Sequence, residues 1–124
     1  MRKIKINIGP VSLLAELNDS PTSDNFVSLL PLDIEMSRWG EEYYGDCGIE
    51  AVAAEDAKTV MEIDELAIWP IGQAFCIFFG PTPLSVTDAP VAASSVNPIG
   101  KIVDNMATLK TLGQEIKVKI EEVR

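Results

Sequence analysis

The residues best equipped for chemistry fall in two stretches, Arg38-Trp39-Gly40-Glu41-Glu42-Tyr43 and Trp69 to Pro83. A carboxylate held against aromatic walls has a raised pKa and can serve as an acid or base. Adjacent residues of a strand face opposite ways, so only one of Glu41 and Glu42 can enter a barrel mouth. Arg38 is the one arginine away from the termini and could polarise a substrate carbonyl. Trp39, Tyr43, Trp69 and Phe75 could line a concave apolar site with Thr82 at its rim. Each also has a plainer reading. Arg38 would pair with nearby acids on the surface, one glutamate would cap a turn and the other meet solvent. Phe75 would be core, and Thr82 would only turn the chain between Pro81 and Pro83.

Several chemistries are excluded by residue type. The chain has no histidine, which removes a Ser or Cys nucleophile paired to imidazole and the commonest catalytic metal ligands. Two separated cysteines make no zinc site, so neither metal nor cofactor is expected. Gly80-Pro81-Thr82-Pro83 lacks the lysine and the following helix of a phosphate-binding loop. Cys76 lies in an apolar run and reads as a small core residue. Cys47, between Asp46 and Gly48, reads as the more exposed thiol, and a disulfide between the two is not favoured without secretion signals.

The net charge of −9 disfavours nucleic acid. It is concentrated in residues 41–65, which hold nine acids against the single base Lys58. The plain reading is a solvated face; the sharper one is a surface for a cationic partner or a divalent ion. No run approaches the ~20 apolar residues of a membrane helix, and Met1-Arg-Lys-Ile-Lys-Ile-Asn7 is not a signal peptide. The expected location is the cytoplasm, with no membrane partner and an oligomeric state the sequence leaves open.

The elements that must position these side chains are mostly strands. Ile4, Ile6 and Ile8 alternate with Lys3, Lys5 and Asn7, and Val11, Leu13, Ala15 and Leu17 repeat the period, giving a hairpin over residues 2–18 that turns at Gly9-Pro10. Ser20 and Pro21 open a short helix of about three turns, which Pro31 ends. Leu32, Ile34 and Met36 form a strand broken at Trp39-Gly40 and resumed at Tyr43-Tyr44. Residues 49–57 suit a strand or a loose helix, with strand preferred. Leu66–Trp69 leads into Ala74–Phe79, apolar on both alternating faces and therefore a strand buried on both sides. A polar, proline-containing segment runs from Pro83 to Pro98 with little periodicity. Ile99–Val103 is a strand, Met106–Leu112 a helical turn or short strand, and Ile116, Val118 and Ile120 mark a last strand. Its Lys/Ile alternation matches that of the first, so the two could pair and remove two edges. At 124 residues this is one domain: a closed, mainly all-β barrel with one short helix after the second strand.

Ser20-Pro21-Thr22, Leu30-Pro31-Leu32, Trp39-Gly40-Glu41-Glu42-Tyr43, Ile68-Trp69-Pro70-Ile71-Gly72, Phe75 through Pro83, and Val96 through Ile102 follow one another in an order that resembles a small family of bacterial and archaeal proteins with a cyclophilin-like fold. The resemblance runs through nearly the whole chain and implies an eight-stranded barrel. The peptidyl-prolyl isomerases of this fold use an arginine on the third strand, which Arg38 would match. Their phenylalanine-methionine-x-glutamine-glycine-glycine signature is replaced here by Trp39-Gly40-Glu41-Glu42-Tyr43-Tyr44, and Gly72-Gln73-Ala74-Phe75 only loosely follows their glycine-glutamine-phenylalanine strand.

The leading expectation is a barrel that binds a small ligand or an extended peptide without isomerising proline. Trp39, Tyr43, Trp69, Phe75 and Thr82 would form the cleft, with Arg38 and Glu41 as polar anchors. The alternatives are a divergent isomerase that uses Arg38 and a subunit of a larger assembly with residues 41–65 as its interface.

Overall fold

The computed structural model describes residues 2–123. Its strands are β1 (Lys3–Ile8), β2 (Val11–Leu17), β3 (Leu32–Trp39), β4 (Glu42–Asp46), β5 (Lys58–Val60), β6 (Glu65–Trp69), β7 (Ala74–Phe78), β8 (Val91–Ile102) and β9 (Glu115–Val123), with one helix, α1 (Pro21–Ser28), and a 3-10 helix at Ala107–Thr111. The sheet order is β2-β1-β9-β3-β4-β7-β6-β8, and a β2–β8 pairing closes these eight strands into a ring. The short β5 adds to β8 outside the ring. Closure removes the hydrogen-bonding edges that an open sheet would expose.

Charge and periodicity set the register together. Lys5 stands opposite Glu121 in the β1–β9 pair, and Asp33 and Glu35 stand opposite Lys119 and Lys117 in the β3–β9 pair. These outward ladders hold Ile4, Ile6, Val118 and Ile120 inside, where a slip of one residue would turn them to water.

The barrel interior is packed with side chains and stoppered at both ends. Ser20 caps α1, its side chain accepting from the Ser23 amide at 3.1 Å, and the helix sends Phe26 inward. The helix is eight residues long, shorter than the expected three turns, because Leu29 already caps it before the cis Leu30–Pro31 peptide. Phe26 stacks on Phe75 at 5.0 Å. Toward the other end of β7, Phe79 stacks on Tyr43 at 5.4 Å. Leu109 of the 3-10 helix is buried in the same core.

β7 is buried on both faces, with two different neighbours. Phe75, Ile77 and Phe79 belong to the barrel core. Ala74, Cys76 and Phe78 face outward into a second apolar cluster with Met61, Ala67, Ala92 and Val96, roofed by the first half of β8. That half of β8 corrects the expectation of an unpatterned segment up to Pro98. Its run of Ala92, Ala93, Ser94 and Ser95 has no alternation to read and lies at a register shift between Val91 and Val96, which pair with Val60 and Lys58 of β5; a second shift, opposite β6, lies next to Pro98.

Residues 49–57 correct a second expectation, since they form no strand. Asn25 and Asn97 side chains bind the carbonyls of Glu50 and Val52 at 2.9 Å each, and Asn97 Oδ1 accepts from the Ala54 amide. Side-chain amides thus satisfy backbone groups that a neighbouring strand would otherwise have taken.

Candidate functional site

A cleft of about 340 Å³ lies on the outside of the barrel between β3, β4 and β6 and the first half of β8. Its lining is Trp39, Glu42, Tyr44, Trp69, Ala92, Ala93 and Val96. Parity along the strands makes it. Gly40 takes φ +61°, a conformation that favours glycine, so the chain reverses over Gly40-Glu41 and Trp39 pairs with Glu42. Trp39, Glu42 and Tyr44 then share the outer face, while Tyr43 points into the barrel. Trp69 is fixed twice: its indole N–H donates to Ser94 Oγ at 2.6 Å, and its ring lies where a side chain on Gly72 would collide with it. Tyr44 meets the Trp69 ring edge-on at 6.5 Å.

Glu42, Ala92 and Val96 are buried and form the base; Trp39, Tyr44, Trp69 and Ala93 retain exposure and form the rim. Glu42 keeps only 5% of its surface, and its Oε1 is buried without a hydrogen-bond partner. Burial pushes its pKa up to about 7, with the neighbouring Cys76 thiol pulling the other way. Among the described residues no basic side chain lines the cleft. A carboxylate in this state changes charge near neutral pH, and when ionised it lacks the partners that normally accompany a buried charge. Among the described residues the other buried, unpartnered side-chain oxygen is Asp64 Oδ1; burial pushes that carboxyl's pKa up, with Lys101 pulling it down and Glu62 and Glu65 adding to the rise.

A larger and more open groove of about 720 Å³ runs between the start of α1 and residues 50–56. Among the described residues that line it, no buried side-chain polar atom is left unpaired. No group of three or more potential metal ligands is found among the described residues, nor is any helix there long and apolar enough to cross a membrane.

The inner counterpart of the cleft is a closed polar network at the end of the barrel. Arg38 Nε donates to the Gly40 carbonyl at 2.8 Å, and Nη1 donates to the carbonyls of Lys110 and Leu112 at 3.1 and 3.2 Å. Its guanidinium lies 5.2 Å from the Phe79 ring centroid and 6.0 Å from that of Tyr43. Glu41 stands 3.7 Å from Arg38 and 3.8 Å from Lys110. Tyr43 donates its hydroxyl to the Gly113 carbonyl at 2.6 Å, and burial pushes its phenol pKa up.

A family model described as Cyclophilin-like matches residues 2–121. The chain belongs to the cyclophilin-like family. Among solved structures, this cyclophilin-like chain is similar to the solution structure of a hypothetical protein from Archaeoglobus fulgidus. The two share 31% identity with a TM-score of 0.83, and the match covers 98% of this chain and 95% of the other. No curated protein matches it.

The cyclophilin-like barrel separates the seven residues singled out from sequence into four places. Trp39 and Trp69 meet at the outer cleft. Arg38, Glu41 and Tyr43 form the inner network. Phe75 is wholly buried beneath Phe26, so a ligand at the cleft does not touch it. Thr82 is buried in the loop after β7, donating to the Val91 carbonyl at 2.5 Å and accepting from the Leu84 amide. It pins that loop beside Gly40 and does not line the cleft. Sequence reasoning passed over Tyr44 and favoured Glu41 over Glu42. The overlooked signal was the hairpin itself: a two-residue turn at Gly40-Glu41 makes Trp39 and Glu42 a cross-strand pair on one face.

Proposed function

We propose that this cyclophilin-like barrel is a binding protein whose site is the outer cleft between Trp39, Tyr44 and Trp69, and that it does not isomerise proline. The observation that carries this reading is Glu42, a buried carboxylate with one oxygen unpartnered in an otherwise apolar, concave surface. Leaving such a group unmet costs stability, and a ligand that meets it recovers that cost. The volume of about 340 Å³ suits a small molecule or one side chain of an extended peptide. Trp69, held by Ser94 and Gly72, offers a wall that needs little reorganisation on binding. The isomerase alternative would require Arg38 to reach a substrate carbonyl. Its guanidinium instead serves three backbone carbonyls and Glu41, and it does not line the cleft.

A small-molecule thermal-shift screen tests the reading, with Ala93→Trp as the variant that fills the cleft. Ligands at 100 times their dissociation constant should stabilise the wild type by about 2.7 kcal/mol and the filled variant far less. Hits that stabilise both proteins equally would place binding elsewhere. A proline-peptide assay on wild type and Arg38→Ala should show no acceleration by either. Acceleration that disappears in Arg38→Ala would make the protein an isomerase.

A further inference from the structure

The geometry points to an organic ammonium ion as the ligand: a primary or secondary amine on a short apolar body, with its N–H groups donating to Glu42 and its charge against the aromatic rim. This rests on the binding reading above and adds the chemical class. Three features converge on it. Glu42 Oε1 is an acceptor without a donor, so the missing partner must bring an N–H or O–H. Two indoles and a phenol line the rim, and aromatic rings attract a cation and do not favour an anion at their faces. Among the described residues no Lys or Arg lines the cleft to neutralise the carboxylate, which leaves the positive charge for the ligand to supply. The surrounding field agrees, because residues 41–65 carry nine acids against one base.

Ala92, Ala93 and Val96 leave an apolar side for the ligand's carbon body. A quaternary ammonium fits less well, since it has no N–H for Oε1. The same chemistry is offered by a free amine and by the lysine side chain of a peptide.

Binding should depend on pH through Glu42. The titratable groups facing it are Tyr44 on its own strand and Cys76 on β7; β3, β6 and β8 contribute Trp39, Trp69, Ala92, Ala93 and Val96, none of which titrates. Burial drives the Cys76 thiol well up, so it stays neutral while Glu42 changes charge.

The test titrates phenethylammonium against its neutral analogue phenethyl alcohol, following the indole N–H signals of Trp39 and Trp69 by NMR in wild type and Glu42→Gln. The amine should bind at least about tenfold more tightly than the alcohol at pH 8. It should weaken about tenfold from pH 8 to pH 6 as Glu42 takes up its proton near pH 7. Glu42→Gln should remove both the preference for amine over alcohol and the pH dependence, with the rest of the spectrum reporting an intact fold. Nα-acetyl-lysine methylamide in place of the amine distinguishes the sources: tighter binding assigns a peptide lysine, weaker binding a free amine. Equal affinity for amine and alcohol would overturn the ammonium assignment and leave the cleft as a binding site. Indole signals unmoved by any probe would overturn both.

Discussion

The inner and outer faces of one short hairpin do opposite things. Residues 38–44 send Arg38 and Tyr43 to the barrel end and Trp39, Glu42 and Tyr44 to the outer cleft. On the inside every charge is answered: Arg38 by three carbonyls and a carboxylate, Glu41 by Arg38 and Lys110, Tyr43 by Gly113. On the outside a buried carboxylate is left half unanswered among aromatic rings. A network that satisfies itself is structural, whereas one that needs an outside partner marks a site. On the reading proposed above, the arginine that sequence resemblance offered as a catalytic group belongs to the scaffold.

The largest effect that would separate scaffold from site comes from the core beneath both. Phe75→Ala removes a fully buried ring stacked on Phe26 and should cost about 3 to 5 kcal/mol in denaturant unfolding. The fraction that remains folded should bind cleft ligands with unchanged affinity. A loss of affinity in that fraction would mean Phe75 shapes the cleft through β7.

Arg38→Ala is the next step down. It removes the donor to the Gly40, Lys110 and Leu112 carbonyls and strips Glu41 of its nearer partner. Part of the site is exposed and water replaces some of these bonds, so the expected loss is about 2 to 3 kcal/mol. Amide exchange should quicken around residues 107–114, which Arg38 ties to the barrel end. Equal exchange in the two proteins would show that the network does not hold that segment.

Glu42→Gln should move stability the other way. The folded-state pKa of about 7 lies above the ordinary 4.5. Below 4.5 both folded and unfolded chains keep the proton, and burying the group carries no ionisation penalty. Between 4.5 and 7 the unfolded chain releases it first, so stability falls as pH rises, and above 7 the full penalty of about 3 kcal/mol is present. Glutamine never ionises but still buries an amide at a cost of about 1 kcal/mol, so the variant should be about 2 kcal/mol more stable than wild type at pH 8 and about 1 kcal/mol less stable near pH 4. A variant less stable than wild type at pH 8 would show that the Glu42 carboxylate is satisfied after all.

Much of the barrel was legible because its strands are buried on one face only. Ile4, Ile6 and Ile8 against lysines, and Ile116, Val118 and Ile120 against lysines and glutamate, announce both period and partner. Ser20-Pro21 announces the helix through capping chemistry that is local by nature. The first half of β8 was illegible for the opposite reason: Ala92 packs in the second core and with Ala93 lines the cleft, and a run of small residues such as Ala92 to Ser95 carries no periodic signal. The site was half legible. Trp39 and Trp69 stood out as aromatics beside turns. Glu41 and Glu42 could be told apart only through strand parity, which depends on where the turn at Gly40 begins. Residues 49–57 were misread because their backbone partners, Asn25 and Asn97, lie far away in sequence.

The smallest test compares neighbours. Tyr43 and Tyr44 differ by one position and one face. Tyr43→Phe deletes the hydroxyl that donates to the Gly113 carbonyl while keeping the ring on Phe79. Gly113 is exposed, so water can take the hydroxyl's place at its carbonyl and the loss should be only about 1 kcal/mol. Tyr44→Phe deletes a hydroxyl on an exposed ring and should change stability by less than about 0.5 kcal/mol. Binding should not separate these two variants, because each keeps its ring. Tyr44→Ala takes the ring itself from the cleft rim and from the edge of Trp69. It should weaken amine binding severalfold at little cost to the fold. A stability loss larger than that of Tyr43→Phe would mean that the outer ring is part of the scaffold, and the division between the two faces of the hairpin would fail.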